Sequence, residues 1–381
     1  MIRILLIYVC IPMLLTGCWG RSELKDVSIV SGVGMDLLDN KIRVTTEILK
    51  PNDIRKGKPK PYIVDETQGI TVFEAVRDFI IKSGKKLLWS HVNTFIIGDK
   101  TAEQGVEPLV GFMLRDHEPR STMNVLVSEG LARDLMKVQG EQGPSPSMAM
   151  QQALKQQESL SKAPQVEFHD FVQNLYSPNV DPYLPIVRRS DGKFEIYGTA
   201  IFKESSMVGK LSSTETRGFL RAVGKLKGGI QVVRFPSSSN RPTYASLEIK
   251  KSETNYSLQV NGSKPKIVIE IAETSFYGSE TEKIQLDLKK MRMINKRYQE
   301  DVRKEVLHSV QKVQKGFGSE ALGFAKIIRT KNKQYWNEIK DRWEEIYPTI
   351  EVDVRVKTKL PEEGLIKSNI LNPKENKGVV K

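Results

Sequence analysis

The stretches Lys-Ile-Val-Ile-Glu-Ile-Ala at residues 266–272 and Ile-Glu-Val-Asp-Val-Arg-Val at residues 350–356 decide the fold class. Both alternate with a period of two, the second strictly between apolar and polar side chains, and this pattern predicts β-strands. Between them, six apolar residues from Ile294 to Val313 recur every three or four positions and predict a long amphipathic helix. A strand, a helix and another strand in this order predict a mixed α/β unit.

Two more blocks of alternating strands and helices precede this unit. In the first, strands are predicted at 27–34, 41–49, 93–97 and 123–127, and helices at 71–82, 101–114, 131–138, 147–160 and 165–176. In the second, strands at 194–202, 207–211, 230–235, 244–249 and 256–260 flank a helix at 212–223. Thr71 with Glu74, and Ser212 with Glu215, have the spacing of capping boxes at helix starts. Helices at 319–329 and 332–346 complete the third block.

The prolines between residues 178 and 185 and the new strand near Lys266 mark candidate domain boundaries. We therefore predict a mixed α/β (α+β) fold of three consecutive domains. Their expected bounds are 18–190 (N-terminal), 191–265 (middle, rich in strands) and 266–365 (C-terminal, with the long helix). A signal segment at 1–17 precedes them, and a polar tail at 366–381 follows.

The first 18 residues predict export and lipidation. Arg3 precedes a short apolar run from Ile4 to Leu15, which has the form of a secretory signal peptide. The run ends in Leu15-Thr16-Gly17-Cys18, which resembles the bacterial lipobox. In that motif the cysteine receives diacylglyceryl and N-acyl groups and becomes the mature N-terminus. More than one acyl chain gives stable membrane anchoring. The alternative is an ordinary signal peptide in which Cys18 is incidental.

Composition and motifs exclude several classes of protein. Two cysteines and four histidines in 381 residues argue against a disulfide scaffold and a zinc site. The chain lacks a complete dinucleotide fingerprint, P-loop, H-E-x-x-H or G-x-S-x-G motif. We therefore expect no enzyme activity, no cofactor and no metal. The net charge of +13 suits anionic lipid headgroups or an ordinary mixed surface better than nucleic acid, because acids are interleaved with the bases.

Several short motifs in a fixed order resemble one family. The first are Cys18-Trp19-Gly20-x-x-Glu23-Leu24-x-Asp26 and Gly32-x-Gly34-x-Asp36. Further along are His91-x-x-x-Phe95-Ile96-Ile97-Gly98, Arg115-Asp116-x-Glu118-x-Arg120, Gly198-Thr199-Ala200-Ile201-Phe202, Met207-Val208-Gly209-Lys210-Leu211 and Glu351-Val352-Asp353-Val354. Together they resemble the Ger(x)C family, the C subunits of spore nutrient-germinant receptors. One segment, Gln314-Lys315-Gly316-Phe317-Gly318, lacks the aspartate that the family often has there.

The resemblance implies three α/β domains, a lipid anchor on Cys18 and a complex with integral membrane A and B subunits. It places that complex at the inner membrane of the spore, with this subunit on the outer face, where the complex senses nutrient germinants. It implies no enzyme activity. The segments Gly198–Phe202 and Arg115–Arg120 are candidate contact surfaces, although packing and turn roles are equally expected for them.

Two other classes of function stay open from the sequence. A solute-binding lipoprotein of a transporter would have a polar cleft between two similar lobes. A lipid-anchored hydrolase would need a carboxylate pair that no known motif marks.

Overall fold

The computed structural model describes residues 26–116, 118–138, 145–235, 242–261, 264–281 and 287–361. Its strands form two sheets, one of nine strands and one of four. The mixed α/β class predicted from the sequence is confirmed. Cys18, the segment 1–17 and the tail 366–381 lie outside the described residues. No helix in the described ranges has the length and apolarity needed to cross a membrane.

The larger sheet is mixed and has the strand order β3-β2-β1-β5-β6-β7-β8-β9, with β4 beside β1. The pairs β1–β4, β1–β5, β5–β6 and β6–β7 are parallel. The pairs β1–β2, β2–β3, β7–β8 and β8–β9 are antiparallel. The strands are β1 (Val27–Leu38), β2 (Lys41–Leu49), β3 (Tyr62–Gly69), β4 (Lys86–Leu88), β5 (Thr94–Gly98), β6 (Asn124–Ser128), β7 (Tyr183–Ser190), β8 (Lys193–Lys203) and β9 (Ser206–Leu211).

Helices cover both faces of this sheet. The helices are α1 (Pro51–Arg55), α2 (Val72–Ser83), α3 (Asp99–Gln104), α4 (Glu107–Arg115), α5 (Ala132–Met136), α6 (Pro146–Leu160) and α7 (Phe168–Leu175). Buried side chains of α2, α4 and α7 form one core on the first face. Those of α5 and α6 form a smaller core on the second face. This arrangement explains why β5 and β6 are buried throughout and have continuous apolar centres, Phe95–Ile97 and Val125–Val127.

The smaller sheet has the order β10-β11-β12-β13. It consists of β10 (Gly229–Phe235), β11 (Thr243–Asn261), β12 (Lys264–Glu280) and β13 (Glu351–Lys359), and α8 (Ser213–Ala222) precedes it. The predicted long helix is α9 (Leu288–Gln311), which continues as π-helical turns at Lys312–Phe317. After it come α10 (Phe324–Lys331), α11 (Lys333–Ile339) and α12 (Trp343–Ile346). These helices connect β12 to β13, which pair in parallel as a crossover unit.

The two sheets share a core. The apolar cluster around α9 includes Ile201 of β8 and Leu211 of β9, which belong to the larger sheet. The expected boundary at 190 falls in the turn of the β7–β8 hairpin, and the boundary at 265 falls inside β12. The division into three domains stays a prediction. The chain passes from the larger sheet to the smaller sheet between Leu211, the end of β9, and Gly229, the start of β10.

Local differences from the predicted elements have structural causes. The helix expected at 101–114 is divided into α3 and α4 because Gly105 has a φ of +114°, outside the helical region. The two strands expected at 244–249 and 256–260 are one long strand, β11. Strands β3, β4 and β7 were not predicted, and neither was the short helix α1 in the proline-rich, basic stretch 50–61.

Candidate interaction site

An exposed groove lined by two aromatic rings and three charged side chains lies between α2 and α4; we call it the α2–α4 groove. Its lining comprises Phe73, Phe112, Arg115, Asp116 and Glu118, around a cavity of about 580 Å³. Phe73 is 57% exposed, an unusual position for a phenylalanine on a helix that otherwise packs on a sheet. Single exposed apolar side chains are common on protein surfaces, so the groove is a candidate contact because it combines this ring with charged side chains.

The Arg115–Arg120 segment forms one wall of this groove, and hydrogen bonds hold it in place. The Glu118 carboxylate accepts a hydrogen bond from the backbone N–H of Trp89 at 3.1 Å. Asp116 Oδ1 accepts one from the backbone N–H of Glu118 at 3.2 Å. Trp89 in turn packs edge-on against Phe112, with ring centroids 6.3 Å apart. Of the two candidate contact surfaces named from the sequence, this one is exposed; His117 within it lies outside the described residues.

The other candidate surface, Gly198–Phe202, is buried. Gly198 has a φ of +66°, and a Cβ there would come within 2.4 Å of the Leu211 carbonyl oxygen. The Thr199 hydroxyl lies 2.8 Å from the hydroxyl of Thr216 in α8. The three residues that follow have no exposed surface. This segment therefore packs the larger sheet against α8 and cannot contact a partner directly.

The π-helical turns after α9 dock on strand β9. A Cβ on Gly209 would come within 2.2 Å of the Phe317 ring, so only glycine leaves room for that ring. Beside this contact, the Ser319 hydroxyl donates a hydrogen bond to the Phe202 carbonyl at 2.5 Å. The Gly-Phe-Gly segment of the C-terminal part is therefore the complement of Gly209 in the larger sheet.

A half-buried carboxylate, Asp181, joins the same two regions. Its two oxygens each accept a backbone hydrogen bond at 2.6 Å, one from Glu204 after β8 and one from Glu320 after the π-helical turns. Burial raises the pKa of Asp181 above its usual value, and burial raises the pKa of Glu320 well above its own. Asp181 therefore connects the segment after β8 to the segment after the π-helical turns. The sequence did not reveal this connection, because neither Asp181 nor Glu320 lies in a recognisable motif.

A second set of charges ties α8 to α9. Glu215, at the start of α8, completes a capping box with Ser212 and also accepts bonds from Lys312 Nζ at 2.8 and 2.9 Å. His308 Nε2 lies 3.1 Å from the same carboxylate. Burial alone would raise the pKa of Glu215, but the bonds from Lys312, Ser212 and His308 outweigh it and lower the pKa to about 2.

Arg221 of α8 is wholly buried at the centre of a charge network. It donates to both oxygens of Glu273 at 2.8 and 3.2 Å and to Glu305 at 3.0 Å. Arg217 forms a two-bond pair with Glu305, and the Tyr298 hydroxyl donates to Glu273 at 2.5 Å. Burial lowers the pKa of Arg221, but the two glutamates outweigh it and raise the pKa above its usual value. Two cations and two anions balance, so the network needs no ligand to neutralise it.

Two known protein families match the chain in the same order as the short Ger(x)C-like motifs of its sequence. Residues 20–189 match the family described as spore germination protein N-terminal domain, and residues 197–364 match spore germination B3/GerAC-like, C-terminal. The chain belongs to the Ger(x)C family of spore germination proteins. The predicted resemblance is therefore confirmed.

Several curated proteins are similar to this Ger(x)C chain along nearly its whole length. The putative spore germination protein YfkR of Bacillus subtilis is 26% identical over 92% of this chain and 93% of its own. Spore germination protein KC of the same organism is 23% identical over 92% and 93%. The crystal structure of the GerBC protein covers 86% of this chain and 96% of its own, with 20% identity and a TM-score of 0.58. That likeness supports the fold.

The Ger(x)C motif Gly32-x-Gly34-x-Asp36 has a packing role. A Cβ on Gly32 would lie 2.5 Å from the Ser147 side chain at the start of α6. Asp36 is buried within β1, and its carboxylate accepts hydrogen bonds from the N–H groups of Ala132 and Arg133 at 2.8 and 3.2 Å. The motif therefore packs the starts of α5 and α6 against strand β1.

A buried glutamate beside this motif was missed by sequence reasoning. Glu47 of β2 accepts a hydrogen bond from the Ser31 hydroxyl at 2.5 Å and from the Ser147 backbone N–H at 3.1 Å. It also accepts one from the Ser147 hydroxyl. These contacts hold the start of α6 on the sheet, where a negative charge is favourable. The only sequence signal is an acid in an otherwise buried strand pattern.

A polar cleft lies between α6 and α7 on one side and α8 and α10, which pack on the smaller sheet, on the other. It encloses about 570 Å³, and its lining includes Glu158, Glu167, Asp170, Lys225 and Lys326. The solute-binding alternative requires such a cleft between similar lobes. Here one side carries a nine-stranded sheet and the other a four-stranded sheet, so the lobes are not similar. Among the described residues, no group of three or more His, Cys, Asp or Glu side chains could hold a metal ion.

Proposed function

We propose that this Ger(x)C chain is the lipid-anchored C subunit of a spore nutrient-germinant receptor. The observation that carries the proposal is the family match, which spans residues 20–189 and 197–364 and begins two residues after Cys18. The chain acts without catalysis, by contacts with neighbouring proteins. Its likeness to spore germination proteins along the whole chain favours this role over solute delivery to a transporter.

The anchor is a diacylglyceryl and N-acyl group on Cys18. It holds the protein on the outer face of the spore inner membrane and raises the local concentration of membrane partners, so moderate interfaces are sufficient. The Cys18→Ala variant should lose the lipid and the cleavage before residue 18. Mass spectrometry of the N-terminal peptide from the membrane fraction tests this, and a wild-type peptide beginning at Cys18 without lipid would contradict it.

The partners are the integral membrane A and B subunits of the receptor, and the α2–α4 groove is the proposed contact. A photo-crosslinking residue at Phe73 should capture these subunits in spore membranes, whereas the same residue at Val232, 52% exposed on β10, serves as the control. Identification of the captured proteins by mass spectrometry reads the result. Deleting the gene should abolish germination with one class of nutrient and leave others intact. Capture of transporter components, with unchanged germination after deletion, would favour the solute-binding alternative.

A further inference from the structure

One end of the larger sheet brings together three chain segments. The start of β1, the end of β2 and the start of β3 lie there, as the pairs Val30–Ile48 and Leu49–Tyr62 show. Strand β4 also begins at this end, where Lys86 pairs with Val27. The connection 50–61 between β2 and β3 and the segment 82–86, which runs from the end of α2 into the start of β4, are therefore neighbours on the same end of the molecule.

These two segments are strongly basic; we call their combined surface, residues 50–61 and 82–86, the basic end. Its only carboxylate is Asp53, and all eight of its cations are exposed: Lys50, Arg55, Lys56, Lys58, Lys60, Lys82, Lys85 and Lys86. Lys58 pairs with Asp53 at 2.9 Å. Within the described part of the chain, no carboxylate lies within ion-pair distance of the other cations of this surface. Such a concentration of unpaired charge creates a positive field.

Apolar side chains accompany the cations. Ile81 is 83% exposed, the most exposed large apolar side chain among the described residues, and it directly precedes Lys82. Ile54 of α1 is 38% exposed within the other segment. Isolated apolar side chains among lysines suit a bilayer interface, because the apolar groups enter the headgroup region while the lysine ammonium groups remain at the phosphates.

The position of the anchor relative to this surface is set by chain length. Only eight residues separate Cys18 from Val27, the first residue of β1. An extended chain spans about 3.5 Å per residue, so the start of β1 is held within about 30 Å of a lipidated Cys18. The basic end is the end of the sheet from which the tether leaves.

We propose that the basic end lies on an anionic lipid bilayer and orients the anchored protein, with the tether and this surface on the same side. The orientation rests on the proposed lipid anchor, but the affinity of the basic end for anionic lipid does not. Each lysine close to an anionic surface contributes about a fivefold gain in membrane affinity. The basic end consists of two separate segments held at one end of the larger sheet. Its binding therefore fixes which face of the folded protein lies against the bilayer.

Vesicle binding tests the proposal without the lipid. The mature chain, residues 18–381 with Cys18→Ala, is mixed with vesicles of phosphatidylcholine containing one-fifth phosphatidylglycerol, and bound protein is measured by sedimentation. Binding should weaken steeply as salt screens the charges, and should be absent with pure phosphatidylcholine. The double variant Lys60→Gln, Lys85→Gln, with one change in each segment, should bind about thirtyfold more weakly.

A matched control has the same change in net charge elsewhere. Lys41 at the opposite end of the larger sheet and Lys357 on β13 are both exposed, so the double variant Lys41→Gln, Lys357→Gln should bind as the unchanged protein does. Circular dichroism of both variants verifies folding. Equal loss in the two double variants, or no preference for anionic vesicles, would overturn the proposal. Because this protein carries no lipid, a failed lipidation test at Cys18 would leave the vesicle result unaffected.

A single-cysteine probe locates the surface on the membrane. The Cys18→Ala chain also lacks residues 1–17 and hence Cys10, so Ile81→Cys introduces its only thiol. An environment-sensitive dye at residue 81 should shift to shorter emission wavelengths with anionic vesicles, whereas the dye on a Lys41→Cys variant should not. A shift only at residue 41, or at neither residue, would exclude this orientation.

Discussion

Arg221 illustrates how much a single buried charge contributes to this fold. Its guanidinium has no exposed surface and is surrounded by Glu273, Glu305 and Gln231. Replacing one member of a buried ion network leaves its partner charged and desolvated, which costs about 3–5 kcal/mol. Arg221→Met should therefore lower the free energy of unfolding by about this amount, measured by urea denaturation.

The control for this prediction is Arg297 on α9, which pairs with Asp301 at 3.1 Å but is 42% exposed. Arg297→Met should cost less than about 1 kcal/mol, as exposed pairs do. Adding Glu273→Gln to Arg221→Met removes the stranded charge and should restore part of the lost stability. A loss below about 1 kcal/mol for Arg221→Met would show that the network is not desolvated as described.

Glu215 predicts a specific dependence of stability on pH. Its folded pKa of about 2 lies below its usual value near 4.5, so the folded state favours the charged form. The resulting stabilisation is fully present above about pH 4.5 and is lost as pH falls towards 2. In Glu215→Gln this contribution is absent, so wild type should exceed the variant by about 1 kcal/mol at pH 7 and the gap should close by pH 2. Urea denaturation at pH 7, 4, 3 and 2 measures the gap, and one that does not change with pH would refute the assignment.

At the scale of elements, the sequence predicted what local chemistry controls. Thr71 and Ser212 begin α2 and α8 by accepting hydrogen bonds from the N–H groups three residues on, as their spacing predicted. Strand β7 was missed because Pro185 argues against a strand. The structure accommodates it at a register shift between Pro185 and Ile186, where proline's missing N–H is tolerated.

The long strand β11 shows a different limit. Its polar middle, residues 250–255, looked like a break between two strands. Pairing with β12 along almost the whole strand holds this segment extended. Pairing with a distant strand is a tertiary effect, and no local pattern within residues 250–255 reports it.

The docking of the π-helical turns on β9 predicts a paired mutational effect. Gly209→Ala places a methyl group against the Phe317 ring and should cost about 1–3 kcal/mol through overpacking. Adding Phe317→Leu relieves the clash, so the double variant should be more stable than the sum of the single changes predicts. Thermal and urea unfolding of the four proteins measure this coupling.

A glycine in the same segment provides the control. At Gly316 an added Cβ would have 3.8 Å to its nearest neighbour and the φ angle is not positive, so Gly316→Ala should be neutral or stabilising by up to about 1 kcal/mol. If Gly209→Ala were equally neutral, the close contact with Phe317 would not exist in solution.

At the scale of the whole molecule, the sequence predicted the mixed fold class and the family but not how the blocks join. The joints depend on residues that are distant in the chain, such as Asp181 bonding to Glu320 and Ser319 bonding to Phe202. Neither pair leaves a local pattern. The same holds for the α2–α4 groove, since an exposed Phe73 reads in sequence as part of an ordinary apolar helix face.

Limited proteolysis tests how the proposed domains are connected. The sequence places the first cuts in residues 50–61, 140–146 and 236–242 and after 361, where proline, glycine, serine and charged residues dominate. Helix α2 and helix α9 should resist, because their apolar faces pack in the two main cores and local opening is costly. The turn at 191–192 should resist as well, since β7 and β8 pair on both sides of it.

Whether the proteolytic fragments stay associated tests whether the two sheets share one core or fold independently. Because Ile201 and Leu211 belong to the same core as α9, fragments cut near 236–242 should stay together in size-exclusion chromatography and separate only in denaturant. Fragments from a cut near 236–242 that eluted apart without denaturant would contradict the shared core, whereas co-elution would show that the two sheets form one cooperative unit.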